Sequence, residues 1–312
     1  MLPTPERIRA ARLGAALQGL AAAGIVAAIA WVSLPDHLGW LSVVLAAGVV
    51  ALVWWWCLRP WRRRQIVVAA GLSEGDSDYL RRKVSMYRRQ DSQQQARFRD
   101  LVCVFLAEVR IVGVGCKPTR HDQLLAAASA IVPIFGFPAW EYDGLQQVLL
   151  RPMAFDARFG DNDQDPLLAS GLAAESGMFN GTVILSLPDL RDGFAHLDGD
   201  NVGIHEFAHL VDKATGLIDG LPPGMSRAIA APWVSLVRSS LKGRSRRRVL
   251  RRYGYTNPAE FFAVGSELFF EDPSRMRREA PELHELMTKI YHQRPASRTR
   301  LLPLPKPKVD ES

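Results

Sequence analysis

The sequence predicts an α+β chain, mostly helical with a small sheet, preceded by a two-helix transmembrane hairpin. Three observations predict it. Residues 13–34 and 38–58 are apolar runs without a charged side chain. Further on, apolar residues recur at helical spacing, broken by short runs between Gly, Pro and Asp that read as strands. Finally, His205-Glu206-Phe207-Ala208-His209 lies in a stretch that reads as an amphipathic helix.

The hairpin comes first, over residues 1–64. At about 1.5 Å per helical residue, each uncharged run spans a hydrocarbon layer of about 30 Å. Arg7, Arg9 and Arg12 precede the first run and Arg59, Arg62, Arg63 and Arg64 follow the second, whereas Pro35-Asp36-His37 between them has no Lys or Arg. The positive-inside rule then places both ends in the cytoplasm. Trp54, Trp55 and Trp56, and Trp31 and Trp40 around the connection, sit where interfacial aromatic belts are expected. Two rival readings are a buried core hairpin and a signal peptide cleaved near Ala28-Ile29-Ala30. Even cleavage would leave the second helix with its arginines on the cytoplasmic side.

Residues 65–95 are polar and charged and read as a juxtamembrane connector with helical character. A globular region follows over 96–295. Phe98, Leu101, Val102, Val104, Phe105 and Leu106 recur at helical spacing, and Leu124 to Ile131 forms a second apolar helix expected to stop before Pro133. Strands are expected at Val148 to Phe155 and Thr182 to Leu187. Residues 296–312 read as a disordered tail, rich in proline and without apolar periodicity. Cys57, Cys103 and Cys116 form no C-x-x-C pair and are read as structural, in keeping with a reducing compartment.

The net charge of +7 comes largely from the arginines flanking the hairpin and from the basic run Lys242 to Arg252. That run reads as a solvated face: no aromatic interleaving or nucleic-acid module accompanies it, and no specific nucleic acid is expected. No phosphate-binding glycine loop or G-x-S-x-G elbow is present, so kinase, NTPase and serine hydrolase readings lack support.

The H-E-x-x-H stretch carries the chemistry. On a helix His205 and His209 stand one above the other and can share one metal ion, with Glu206 beside them as a general base. Asp198, Asp200 and Asn201 offer N-cap oxygens, and Gly216 is placed for a C-cap, so a helix is expected over 200–215. Asp212 falls on the metal-facing side, as either a carboxylate partner for a ligating histidine or a surface ion-pair former. A catalytic zinc needs a third protein ligand and one position for water. The extended motif that would supply a third histidine is absent, since Asp212 and Thr215 occupy its glycine and histidine places. A second helix opens at Asn257-Pro258, where Asn257 reads as N-cap and Pro258 as N1. On it Glu260 and Glu267 are seven apart and face one way. Either can be the ligand: Glu260 has a rival role as a capping-box glutamate and Glu267 as an acceptor behind a histidine. His196, His284 and His292 remain as further alternatives.

Two segments, His205 to Asp212 and Asn257 to Phe270, resemble the zinc peptidases of the Mlc titration factor A family, as do Phe105 to Gly115 and Gly181 to Ser186. Those are gluzincin-type enzymes with a catalytic core similar to that of anthrax lethal factor. The resemblance covers residues 96–295 and implies a zincin-like metallopeptidase domain. It also implies Zn²⁺ held by His205, His209 and Glu260, with Glu206 as base and Tyr253 as the phenol that hydrogen-bonds the oxyanion; Tyr255 is its bland neighbour. The expected activity is hydrolysis of a peptide or protein substrate by zinc-activated water. The membrane hairpin, with lipid contact through residues 13–58, departs from the soluble titration factor. The alternative is a membrane-tethered binding protein that captures a cytosolic protein regulator and has weak or vestigial peptidase activity. A purely structural metal site would need a fourth protein ligand, which no residue clearly supplies.

Overall fold

The computed structural model describes residues 5–33, 39–137, 140–152, 181–214, 216–222, 225–243 and 248–295. The chain divides into two compact units, Met1–Leu72 and Ser73–Ser312. The first holds α1 (Pro5–Ser33) and α2 (Gly39–Ala70), which contact each other. Small residues permit the contact: Ala15 and Ala23 are buried, and a Cβ added at Gly19 would lie 3.5 Å from the Val50 backbone. Leu13, Leu17, Leu20 and Ile25 of α1, and Val43, Val44, Leu45 and Leu52 of α2, point outward instead. Over Val43–Ala70, α2 is long and apolar enough to cross a membrane; the apolar part of α1, Leu13–Ile29, is shorter. The connection at 34–38 lies outside the described residues.

In the second unit, α3 (Glu74–Lys83), α4 (Ser85–Arg88) and α5 (Ser92–Glu108) lead to a parallel sheet. Although the 65–95 stretch is polar on average, Leu80, Val84, Met86 and Tyr87 are buried. The Tyr87 ring lies 5.2 Å from that of Phe98 on α5, so this stretch supplies core as well as surface. The sheet runs β1 (Arg110–Gly113), β2 (Gln147–Arg151), β3 (Thr182–Ser186), with all pairings parallel. Val148, Leu150, Val183 and Leu185 alternate into the core, as period-2 strands must when one face is covered. The strand expected at 148–155 thus begins at Gln147 and ends at Arg151; residues 153–155 lie outside the described set.

Helix α6 (Arg120–Ile134) crosses between β1 and β2. Contrary to expectation, it does not stop before Pro133 but runs through it. Pro133 removes one N–H from the last turn, and the helix end leaves further carbonyls without intrahelical partners. Distant side chains take up carbonyls of this turn: the Tyr142 hydroxyl donates to Ala130 O, and Gln293 Nε2 donates to Val132 O and Pro133 O.

Helices α7 (Leu187–Gly193), α8 (Val202–Lys213), α9 (Arg227–Leu241), α10 (Pro258–Glu271), α11 (Pro273–Glu279) and α12 (Pro281–Tyr291) complete the unit, with a 3₁₀ turn at Arg252–Tyr255. Helix α10 is the central one. Residues 259–271 are all buried, which explains an apolar sequence without a polar face. Trp233 of α9 and Tyr291 of α12 close on it, packing against Phe262 with ring centroids 6.0 and 5.6 Å away. Among the described residues the three cysteines are free, Cys103 being buried. The tail at 296–312 lies outside the described residues.

Candidate metal centre

The site forms where α8 lies against α10. Asn201 caps α8, its side chain accepting from Ile204 N, rather than Asp198 or Asp200. The helix runs from Val202 to Lys213, a turn shorter than the 200–215 span. Phe207, Ala208 and Val211 are buried, and Phe207 meets Phe105 and Tyr142 edge-on or tilted. Buried apolar packing on one side fixes the rotation of α8, and the two histidines project on another.

Helix α10 opens as its residues dictate, with Pro258 in the first turn and Asn257 Oδ1 accepting from Glu260 N at 2.9 Å. The Glu260 carboxylate turns toward the imidazoles: Oε2 lies 3.2 Å from His205 Nε2 and Oε1 3.5 Å from His209 Nε2. The two Nε2 atoms are 3.1 Å apart. Ligand atoms from His205, His209 and Glu260 all lie within 4.8 Å of one another, and all three residues are buried.

Glu267, two turns further along the same helix face, meets the other edge of the His205 ring. Its Oε1 lies 2.8 Å from His205 Nδ1, while its carboxylate accepts from Asn201 N at 2.6 Å and from the Arg251 guanidinium at 2.7 and 2.6 Å. Arg251 also pairs with Asp200. The ring is thereby oriented with Nδ1 toward Glu267 and Nε2 toward Glu260 and His209. Glu271 extends the network, accepting from Gly199 N and Asn201 Nδ2. Sequence reasoning missed the roles of Arg251 and Glu271. Arg251 was hidden at the end of a basic run, and Glu271 had no pattern to mark it.

Asp212 is fully buried and is not a surface residue; its Oδ2 accepts from Gly220 N at 2.7 Å. Burial, with Asp219 nearby, pushes its pKa up to about 6 against the hydrogen bond from Gly220 and the charge of His209. Glu206 is half-buried beside His205. Tyr253, in the 3₁₀ turn, is about one-third exposed, with its ring 6.1 Å from that of His205. Tyr255 points elsewhere: its hydroxyl accepts from Leu250 N, and its ring packs on Phe261. His196 pairs with Asp192, His284 packs on Phe269 and His292 ends α12 in a left-handed conformation; none joins the ligand cluster among the described residues.

Electrostatics mark this as a place for a cation. Burial disfavours the charged His205 ring, yet hydrogen bonds to Glu260 and Glu267, with the charges of Glu267 and Glu206 behind them, push its pKa up to about 10. Burial alone would raise the Glu260 pKa, but the His205 and His209 hydrogen bonds hold the carboxylate well below its usual range. A proton on His205 thus sits where the surrounding carboxylates favour positive charge. Two imidazole nitrogens and one carboxylate oxygen, with one imidazole backed by a second carboxylate, form a donor set that fits zinc and leaves a position for water.

A model of the glucose-regulated metallo-peptidase M90 family matches residues 58–292. Mlc titration factor A of Serratia proteamaculans (strain 568) is 29% identical over 224 residues, covering 68% of this chain and 85% of that protein. Mlc titration factor A of Yersinia pestis (strain Pestoides F) is 30% identical over 223 residues, covering 66% and 80%. An uncharacterized protein of Synechocystis is 26% identical over 271 residues, covering 80% of this chain and 95% of its own length.

Proposed function

This chain belongs to the glucose-regulated metallo-peptidase M90 family, and on that premise we propose that it is a membrane-anchored, zinc-dependent peptidase acting on a peptide or protein substrate. The observation that carries the reading is the convergence of His205 Nε2, His209 Nε2 and the Glu260 carboxylate within 4.8 Å. His205, His209 and Glu260 hold Zn²⁺ in this reading. When bound, the ion lowers the pKa of a water toward about 7 and polarises the scissile carbonyl.

The chain's own residues do the remaining work. Glu206 takes a proton from the attacking water as its oxygen bonds to the carbonyl carbon. As the C–N bond breaks, Glu206 returns that proton to the departing amine nitrogen, so atoms and charge balance. The Tyr253 phenol donates to the oxygen on which negative charge develops. Glu267, held by Arg251 and Asn201 N, keeps the His205 ring turned. Beyond the site, β3 is an edge of the sheet among the described residues and offers backbone groups to an extended substrate.

Glu206→Gln is the direct test. It retains the metal, because residue 206 is not a ligand, and it lowers kcat by about 10²- to 10⁴-fold through loss of the base. Near wild-type cleavage by that variant would sink the assignment.

The anchor reading rests on the outward-pointing apolar side chains of α1 and α2 and on the apolar length of Val43–Ala70. In it both helices cross the inner membrane of a bacterium and the peptidase domain is cytoplasmic. A second reading is carried by the name of two relatives, Mlc titration factor A. It makes the chain a tethered binding protein for a cytosolic regulator. Full rescue of a regulatory phenotype by the Glu206→Gln variant would favour it.

A further inference from the structure

Outside the metal centre, α9 carries a groove whose chemistry neither the site nor the family description uses. Two adjoining cavities, of about 680 and 370 Å³, share Leu221, Val234, Arg238 and Lys242. Leu221, Ala230 and Val234 give an apolar floor, and Arg227, Arg238 and Lys242 stand along the rim. These three cations form no ion pair among the described residues. The carboxylate on the wall, Asp219, is turned onto Leu221 N, its Oδ1 accepting at 3.0 Å. An apolar floor under unpaired cations favours a ligand that is both apolar and acidic.

The groove also has an address. Its smaller cavity ends on Gly220 and Pro258. Gly220 N donates to Asp212 of the histidine helix, and Pro258 is the first residue of α10, two before Glu260. The two segments touch closely: with φ at +77°, Gly220 has no room for a Cβ, which would lie 2.5 Å from Pro258 O. Trp233 locks the wall by donating Nε1–H to Gly220 O at 2.7 Å. One wall of the groove therefore touches α8 near its C-terminal end, through Asp212, and the first turn of α10, through Pro258.

We infer that this groove is the specificity subsite of the peptidase, receiving an acidic stretch of substrate that carries an aliphatic or aromatic side chain. The apolar side chain seats on Leu221 and Val234, and flanking Asp or Glu side chains pair with Arg238, Lys242 and Arg227. The inference rests on the peptidase reading of the metal centre.

Two fluorescent peptides test it, identical about the scissile bond, one with leucine flanked by glutamates and one with leucine flanked by lysines. Anisotropy measures their binding to the full-length Glu206→Gln chain, and kcat/KM measures their cleavage by the wild-type chain. The expected result is binding of the acidic peptide about tenfold tighter or more, equivalent to about 1.4 kcal/mol, with cleavage following the same order. Arg238→Glu and Lys242→Glu, at exposed positions, should reverse the preference while melting as wild type does. Equal affinity for both peptides overturns the inference, as does an Arg238→Glu chain that keeps the acidic preference. So does acidic-peptide binding that fails to compete with cleavage, which would make the groove a separate partner surface. If the wild-type chain cleaves neither peptide, the peptidase reading falls, and the anisotropy arm alone decides whether the groove selects acidic ligands.

Discussion

Glu260 and Glu267 occupy one helix face, yet they meet opposite edges of the same imidazole. Glu260 reaches His205 Nε2 and His209 Nε2, while Glu267 reaches His205 Nδ1 and is itself held by Arg251. Their substitutions should therefore differ in kind. Glu260→Ala removes a donor and should abolish zinc retention after dialysis, whereas Glu267→Ala should lower zinc affinity by roughly 10- to 100-fold without abolishing it. Metal content measured side by side decides, and loss of metal only in Glu267→Ala would exchange their roles. Glu271 supplies a pH prediction. Burial, with the charges of Glu267 and Asp198, pushes its pKa up to about 8 against hydrogen bonds from Asn201 and Gly199. Its pKa is raised on folding, so its stabilising contribution is complete below about 4.5, the unfolded value, and is lost as pH rises through about 8. Between those values the folded state binds the extra proton. The wild-type melting temperature should fall from pH 6.5 to 9, and Glu271→Gln, which keeps a neutral amide there, should flatten that slope. An unchanged slope would assign the pH dependence elsewhere.

At the scale of elements, the contact between α8 and α6 sets where the histidines stand, and it depends on Gly203. A Cβ at Gly203 would lie 2.0 Å from Ser129 Oγ, 2.7 Å from Ser129 Cβ and 3.1 Å from Leu190 Cδ1. Neither helix can yield without moving packed neighbours, so Gly203→Ala should destabilise by about 1–3 kcal/mol through overpacking. Ser129→Gly removes both nearer atoms and should recover part of that loss in the double variant. Denaturant unfolding of the four chains in a double-mutant cycle checks the coupling, and strict additivity would show that the helices part easily. The same scale separates what could be read in the sequence from what could not. Asn201 and Asn257 were legible as caps and Pro258 as an N1 residue, because local chemistry governs helix starts. The seven-residue spacing put Glu260 and Glu267 on one face but carried no information about which ring nitrogen each meets. The end of α6 was misread for a related reason: Pro133 is a local stop signal, overridden by carbonyl partners from Tyr142 and Gln293 that lie far along the chain. Burial of Leu80, Met86 and Tyr87 was hidden by the charged residues between them. Arg251 could be seen only as one more arginine until its partners Asp200 and Glu267 were placed.

At the scale of the whole molecule, the proposed anchor rests on charge and apolar length. Among the described residues, large apolar side chains of α1 and α2 point outward, whereas Ala15, Ala23 and Gly19 lie at the contact between the two helices. Exposed to water, so many large apolar residues would be a liability; exposed to lipid, they are solvated. Seven arginines flank the two apolar runs at Arg7, Arg9, Arg12, Arg59, Arg62, Arg63 and Arg64, and none falls between the runs. Short flanks of this kind orient a hairpin with both ends on the cytoplasmic side. Alkaline phosphatase, which folds only outside the cytoplasm, should therefore be active when fused within residues 35–37 and inactive when fused after residue 72. A fluorescent protein that matures in the cytoplasm should give the opposite pattern, and both fusions should stay with membranes through alkaline extraction. Phosphatase activity at the later fusion would place the metal centre outside the cytoplasm. Extraction of the full chain by alkali would remove the anchor, leaving the metal centre intact and the apolar faces of α1 and α2 in need of a protein partner.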